Sequence, residues 1–128
     1  MSGYSIDIEQ RTLANDNFRE VLHTAKNSQL VVMTVQPGDE IGLETHQGHD
    51  QFIRIEAGEG VAILNGESHA LSDGVAVVIP AGTEHNVINT SRSTPLRLYT
   101  IYSPPEHPPG TVHRTKAEAD EYERQHGH

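Results

Sequence analysis

Four residues with metal-binding side chains stand at the ends of predicted strands: Glu44, His46, Gln51 and His85. Glu44 and His46 are two residues apart on one predicted strand, so their side chains project from the same face. Gln51 opens the next predicted strand, and His85 follows the turn at residues 80–84. If these strand ends converge inside a barrel, two imidazoles, one carboxylate and one amide oxygen meet at one point. Such a donor set suits a first-row divalent ion.

Strand signals dominate from about residue 18 to residue 103. Residues 51–56 alternate between apolar and polar side chains, and residues 75–79 form an apolar run that we expect to be a buried strand. Asn65-Gly66 separates two strand-like runs and predicts a type I′ hairpin. Many short strands with turn residues between them predict a barrel or sandwich of roughly nine to eleven strands.

Two sequence motifs resemble those of the cupin family. The second cupin motif, G-x5-P-x-G-x2-H-x3-N, is matched at every fixed position, by Gly74, Pro80, Gly82, His85 and Asn89. The first motif, G-x5-H-x-H-x3–4-E-x6-G, is matched in part, with Gly38 and Gly58 at its ends. Glu44 and His46 stand at its two histidine positions and Gln51 at its glutamate position.

The resemblance implies an all-β fold, the cupin double-stranded β-helix or jelly-roll barrel, over about residues 18–103. It also implies one metal ion held by Glu44, His46, Gln51 and His85. Two of the four usual ligands are changed, but the changes preserve charge, because the carboxylate has moved from one corner of the site to another. His49 is an alternative to Gln51 as a ligand, although its place in a connecting loop is more typical of an exposed residue.

The segments outside the predicted barrel have a different character. Residues 12–17 predict a short helical turn, and Thr115 with Glu118 fits a capping box that opens a helix to about residue 124. Between barrel and helix lies a proline-rich segment, residues 103–110. We expect it to form a strap along the outside of the barrel. The alternative is a flap over the barrel mouth, which would bring Glu106 and His107 near a substrate.

Other polar residues are interpreted as structural. We expect His23 and His69 at the surface, Asn89 hydrogen-bonded to nearby backbone, and Arg54 pointing away from the cavity because its parity is opposite to that of Gln51. The terminal Gln125-His126-Gly127-His128 is expected to bind nickel or copper adventitiously.

Composition limits the partners of this chain, which we interpret as one domain over residues 1–128. Nine basic and eighteen acidic residues give a formal net charge of −9, which argues against nucleic acid and anionic membranes as partners. With no cysteine, disulfides and thiolate zinc sites are excluded. The first residues lack the pattern of a signal peptide, so a cytoplasmic protein is expected. A homodimer is expected, since an unpaired edge strand is a liability.

The resemblance extends to a group of short bacterial cupins that are often labelled mannose-6-phosphate isomerases. It implies a metal-dependent sugar or sugar-phosphate isomerase that acts on a small molecule, with Glu44 as the candidate catalytic base. The alternatives are an Fe(II) cupin dioxygenase and a non-catalytic cupin that binds a small molecule. The residue types do not distinguish Fe, Mn, Zn and Ni.

Overall fold

The computed structural model describes residues 3–126, which form ten strands and two helices. The helices are α1 (Ile8–Ala14) and α2 (Lys116–His126). The strands are β1 (Arg19–Thr24), β2 (Gln29–Val35), β3 (Glu44–Thr45), β4 (Asp50–Ala57), β5 (Gly60–Leu64), β6 (Glu67–Leu71), β7 (Ala76–Ile79), β8 (Glu84–Asn89), β9 (Leu96–Ser103) and β10 (Val112–His113).

Two antiparallel sheets make the jelly-roll fold that the strand pattern and the motifs predict. One sheet has six strands in the order β10-β1-β2-β9-β4-β7, and the other has four in the order β3-β8-β5-β6. The strand count lies within the predicted range. The sheet continues past the predicted limit at residue 103, because β10 pairs with β1.

The hydrophobic core lies between the inner faces of the two sheets. Buried and less buried residues alternate along β9 and along β4 as far as Ile55, as the period of a strand requires for side chains that face one layer. The alternation in β4 ends at Glu56, which is also buried, where the register with β9 shifts. The buried apolar side chains form one cluster, which includes Val31, Met33, Ile53, Ile55, Ala62, Ile79, Val87, Leu96 and Leu98.

The Asn65-Gly66 hairpin is confirmed. Both residues have positive φ, 49° for Asn65 and 82° for Gly66, and the turn joins β5 to β6 with Leu64 paired to Glu67. The side chain of Asn65 also accepts a hydrogen bond from the backbone N–H of Glu84. The turn therefore fixes the start of β8, the strand that carries His85.

The strand predicted at residues 75–79 is present as β7, but the prediction that it is buried is wrong. β7 is an edge strand of the six-stranded sheet, and its residues alternate between exposed and buried. Val78 is 64% exposed, whereas Ile79 is buried. An uninterrupted apolar run therefore does not show that both faces of a strand are covered.

The predicted helices need two corrections. The N-terminal helix is α1, which begins earlier than the expected turn at 12–17 because Asp7 caps it by accepting from the N–H of Gln10. In α2, Thr115 Oγ1 accepts from the N–H of Glu118, as a capping box requires. The carboxylate of Glu118 accepts from the N–H of Arg114 instead of that of Thr115, so the box is only half formed. Among the described residues, no helix is long and apolar enough to cross a membrane.

A close approach between strands predicts the effect of one substitution. A Cβ at Gly60 would lie 2.3 Å from the carbonyl oxygen of Ile88 on β8. Gly60→Ala should therefore lower the free energy of unfolding by about 1–3 kcal/mol, the usual cost of overpacking. The measurement is urea unfolding, with a lower midpoint and an unchanged slope as the expected result.

Gly48→Ala is the control for this prediction, because a Cβ at Gly48 meets nothing within 4 Å. Its free energy of unfolding should stay within about 0.5 kcal/mol of the parent. Equal effects of the two substitutions would contradict the close contact between β5 and β8.

Candidate metal centre

The pairing of β3 with β8 brings the first two candidate ligands together. In this antiparallel register Glu44 lies opposite His85, and Thr45 lies opposite Glu84. Side chains of directly opposed residues project from the same face of a sheet and are close neighbours. Glu44 and His85 therefore share a face although they are far apart along the chain.

His46 joins this pair from the residue after β3. The candidate ligand atoms of Glu44, His46 and His85 all lie within 4.8 Å of one another. Two ligand atoms bound to one ion at about 2.1 Å can be at most about 4.2 Å apart, so small side-chain movements suffice to bring all three to one ion. The side chains of His46 and Glu44 are 11% and 25% exposed, so the group lies near an opening.

The hydrogen bonding of His85 leaves one ring nitrogen available for a metal. Its Nδ1 lies 2.9 Å from the carbonyl oxygen of Thr83. A carbonyl only accepts, so Nδ1 carries the proton and Nε2 carries the lone pair. Nε2 is buried and has no hydrogen-bond partner among the described residues. A metal ligand needs this tautomer, and His ligands are commonly oriented by such a bond from the other nitrogen.

Gln51 also has a buried side-chain atom that is available for a metal. Its side chain is buried, and its Nε2 donates to Thr100 Oγ1 at 3.0 Å. Its Oε1 is buried without a hydrogen-bond partner among the residues that the structure describes. Leaving such an atom unsatisfied costs about 1–3 kcal/mol, which a bound cation would offset. The donor atoms therefore fit a divalent metal.

Tyr102 borders the site on the strand next to Gln51. The two residues are paired between β4 and β9, and the ring centroid of Tyr102 is 6.1 Å from that of His46 in an edge-to-face arrangement. Burial raises the pKa of the Tyr102 hydroxyl well above its usual range. Tyr102 therefore stays a neutral phenol at physiological pH.

The proline-rich segment reaches the site, so the prediction of an outer strap is wrong for its central residues. Glu106 Oε2 lies 3.3 Å from His46 Nδ1, and Glu106 Oε1 lies 2.8 Å from His49 Nε2. The ring of His107 packs edge-to-face on Tyr102 at 5.2 Å between centroids. Glu106 and His107 therefore lie beside the candidate site, as the flap alternative expected, and their proximity to a substrate stays a prediction.

His49 contacts Glu106 and is not a member of the three-residue group that the structure brings together. Its side chain is 20% exposed, less than its loop position suggested. The assignment of Gln51 as fourth ligand stays a prediction.

Arg54 and Asn89 have the structural roles that the sequence predicts. Arg54 points outward, with its side chain 42% exposed and 3.7 Å from Glu56, as its parity predicted. Asn89 bonds the backbone of Val35, Ser91 and Thr94, as predicted.

Two other histidines were expected at the surface. His69 is 43% exposed and pairs with Glu67, as predicted. His23 is partly buried and stacks on Tyr4. Gly127 and His128 lie outside the described residues, so the terminal binding motif stays a prediction.

Three residues at or near the site were not predicted from the sequence: Gln29, Thr100 and Tyr102. For Thr100 and Tyr102 a signal existed, since both continue the inward parity of Leu96 and Leu98 along β9. For Gln29 there was none, because its importance depends on a distant segment that folds back onto it.

Comparison with known proteins agrees with this architecture. The cupin domain model of the Cupin_2 family matches residues 31–102. The crystal structure of BH2720 from Bacillus halodurans superposes with a TM-score of 0.90 at 44% identity, covering 92% of this chain and 93% of that one.

Two curated relatives are similar to most of this chain. The uncharacterized protein YrkC of Bacillus subtilis is 47% identical over 122 residues, which are 91% of this chain and 65% of that protein. The chain therefore spans less than two thirds of the length of YrkC. The uncharacterized protein L612 of Acanthamoeba polyphaga mimivirus is 43% identical over 112 residues, 85% of this chain and 70% of L612. With the jelly-roll fold, a complete second cupin motif and a family match over more than half of its residues, the chain belongs to the cupin family.

Proposed function

We propose that this cupin binds one divalent metal ion through Glu44, His46, Gln51 and His85 and uses it to act on a small molecule. The observation that carries the proposal is the pair of buried acceptors, His85 Nε2 and Gln51 Oε1, without hydrogen-bond partners among the described residues. Each is the atom through which its side chain binds a metal. Glu44 supplies the carboxylate ligand, which the usual cupin ligand set has at the position of Gln51.

A small cavity beside β3 and α2 supports an uncharged substrate. Its volume is about 240 Å³, and Glu44 and His46 form part of its wall together with Leu43, Thr45 and Glu123. Among these lining residues none is Lys or Arg, and two are acidic. A phosphate group is poorly matched to such a wall, since like charges repel. We therefore favour a sugar without phosphate over a sugar phosphate.

The reaction that we propose is aldose–ketose isomerisation. A divalent metal, when bound, polarises a carbonyl or hydroxyl oxygen of its ligand. Glu44 is the proposed base: its carboxylate is partly exposed beside the cavity and can take a proton from one carbon and return it to the next. Tyr102 packs edge-to-face on His46 as a neutral phenol, so it brings no charge to the proposed site.

One observation favours a second candidate, an Fe(II) dioxygenase. The three mutually close groups are two imidazoles and one carboxylate, the donor set of non-haem Fe(II) oxygenases. Oxygen consumption by the iron-loaded protein, without interconversion of sugars, would favour this candidate over the isomerase.

The metal site is tested by single substitutions. Loss of a residue that only hydrogen-bonds a metal ligand weakens metal binding by about 10–100-fold. His46→Ala and His85→Ala each remove a proposed ligand, so each should weaken divalent metal binding by more than this. Competitive chelator titration measures this. Every protein compared should also carry His126→Asn and His128→Asn, so that the terminal motif does not contribute to metal binding.

Glu67-Ser68-His69 offers a matched control on β6. It repeats the carboxylate-x-histidine pattern of residues 44–46, but the His69 side chain is 43% exposed and pairs with Glu67 at 3.1 Å. His69→Ala should leave the affinity unchanged. Full retention of metal by both His46→Ala and His85→Ala would refute the site.

The proposed site has its carboxylate at position 44 instead of at the usual glutamate position, 51. If both residues bind one ion, the effects of substitutions at Glu44 and Gln51 on metal affinity should be coupled. Glu44→His removes the carboxylate from the ligand set and should bind metal least well. Gln51→Glu adds a second carboxylate, which Thr100 Oγ1 can still satisfy by donating, and should bind at least as tightly as the parent. The double variant restores the usual cupin ligands, so its affinity should lie near that of the parent. The coupling energy should fall within roughly 0.5–3 kcal/mol.

Chelator titration of all four proteins in one buffer measures this cycle. If the effects of the two single changes simply add, Glu44 and Gln51 do not share a metal ion.

Turnover tests the substrate class. Unphosphorylated aldoses should be converted to ketoses in deuterium oxide with deuterium appearing next to the carbonyl, as followed by NMR. Glu44→Gln at saturating metal should lose this exchange. The kcat/KM for phosphorylated sugars should be lower by on the order of tenfold, because the cavity wall is acidic.

Glu123→Gln removes one acidic group from the cavity wall. It should therefore reduce the difference in kcat/KM between unphosphorylated and phosphorylated sugars. A preference of the parent for phosphorylated sugars would contradict the proposed substrate class. No exchange with any sugar would contradict the isomerase.

A further inference from the structure

One carboxylate of the proline-rich segment bridges two imidazoles at the edge of the candidate metal centre. Glu106 Oε2 lies 3.3 Å from His46 Nδ1, and Oε1 lies 2.8 Å from His49 Nε2. The Glu106 side chain is only 10% exposed. Among the described residues, the group of mutually close ligand atoms contains Glu44, His46 and His85 and does not include Glu106. Glu106 thus contacts a candidate ligand from outside the group.

The position of Glu106 is fixed by contacts of the surrounding backbone with the side chains of Gln29 and His49. The buried Gln29 accepts the N–H groups of Glu106 and His107 at its Oε1, at 3.2 and 3.0 Å. Gln29 Nε2 donates to the carbonyl of His107 at 2.7 Å. On the other side, His49 Nδ1 lies 2.9 Å from the carbonyl oxygen of Pro104. The segment is therefore fastened to the barrel on both sides of the carboxylate.

The contact with Glu106 has a consequence for the His46 ring. A carboxylate at Nδ1 favours the tautomer with the proton on Nδ1, which leaves the lone pair on Nε2. Nε2 is the nitrogen that faces the site, 3.8 Å from Glu44 Oε1. His85 reaches the same tautomer through the carbonyl of Thr83.

We propose that Glu106 is a positioning residue of the metal centre, which holds His46 in the tautomer and orientation that bind metal through Nε2. The other oxygen of the same carboxylate lies 2.8 Å from His49 Nε2, so Glu106 contacts both imidazoles at once. The proposal rests on the metal site proposed above. It assigns to residues 104–107 a part in metal binding that no ligand motif contains.

The test compares Glu106→Ala and Glu106→Gln with the parent and with Glu67→Ala. Glu67→Ala is matched because it also removes a carboxylate from a histidine, at an exposed pair away from the site. Glu106→Ala should lower the affinity for Zn²⁺ by about 10–100-fold. Glu106→Gln should lose less, since its amide oxygen can still accept from Nδ1, and Glu67→Ala should lose nothing.

A second measurement does not depend on metal. Long-range proton–nitrogen NMR of the metal-free proteins reports which ring nitrogen of His46 carries the proton. The parent should show Nδ1–H, Glu106→Ala should gain the Nε2–H form, and Glu106→Gln should restore the parent pattern in part. Circular dichroism and thermal unfolding of each variant establish that it is folded.

The outcomes separate the two proposals. A parent that binds no divalent metal overturns the proposed function, and with it the role of Glu106. A parent that binds metal, together with an Ala variant of unchanged affinity and unchanged His46 tautomer, overturns the role of Glu106 alone. A loss of affinity equal in Glu106→Ala and Glu67→Ala would also overturn it, because the effect would not belong to this contact.

Discussion

The pairing of residues 40–46 with β8 is the constraint on which the site depends. β3 itself has only two residues, too few to hold a register alone. Hydrogen bonds on either side extend the pairing: the N–H of Ile41 donates to Val87 O at 2.9 Å, and that of Gly82 to His46 O at 2.8 Å. A shift of one residue would turn Glu44 to the other face of the sheet. These backbone bonds therefore decide whether Glu44 and His85 can meet at all.

A second property of the site is the division of the barrel interior into a polar and an apolar end. Along the paired strands β4 and β9, Gln51 lies opposite Tyr102, and Ile55 lies opposite Leu98. All of these side chains are buried. The alternation that builds the hydrophobic core thus continues into the site, with the same inward parity but different side-chain chemistry. Apolar packing at one end supplies the rigidity that holds the polar side chains at the other end in place.

Much of this arrangement could be predicted from sequence because it follows from local rules. Strand parity put Glu44 and His46 on one face, and the second cupin motif identified His85 after the turn at residues 80–84. The proximity of His85 to Glu44 depends on pairing between distant strands, which the family motifs implied but local pattern alone did not. The path of Glu106 could not be predicted, because no local propensity directs a proline-rich segment. It follows from the amide of Gln29, 77 residues earlier in the chain.

The two histidines of the site are held by unlike means, and this difference bears on how a substrate can reach them. His85 is oriented by the carbonyl of Thr83, which lies two residues earlier in the chain, just before β8. His46 is contacted by Glu106, which the chain supplies after leaving β9 beside Gln29, the partner of Tyr102 across the sheet. Since this segment covers one side of the polar end, access by that side would require Gln29 to release it. The cavity beside β3 and α2 needs no such release, and Glu44 and His46 already form part of its wall. Entry of a small molecule from the side of α2 would therefore leave the contact between Glu106 and His46 undisturbed.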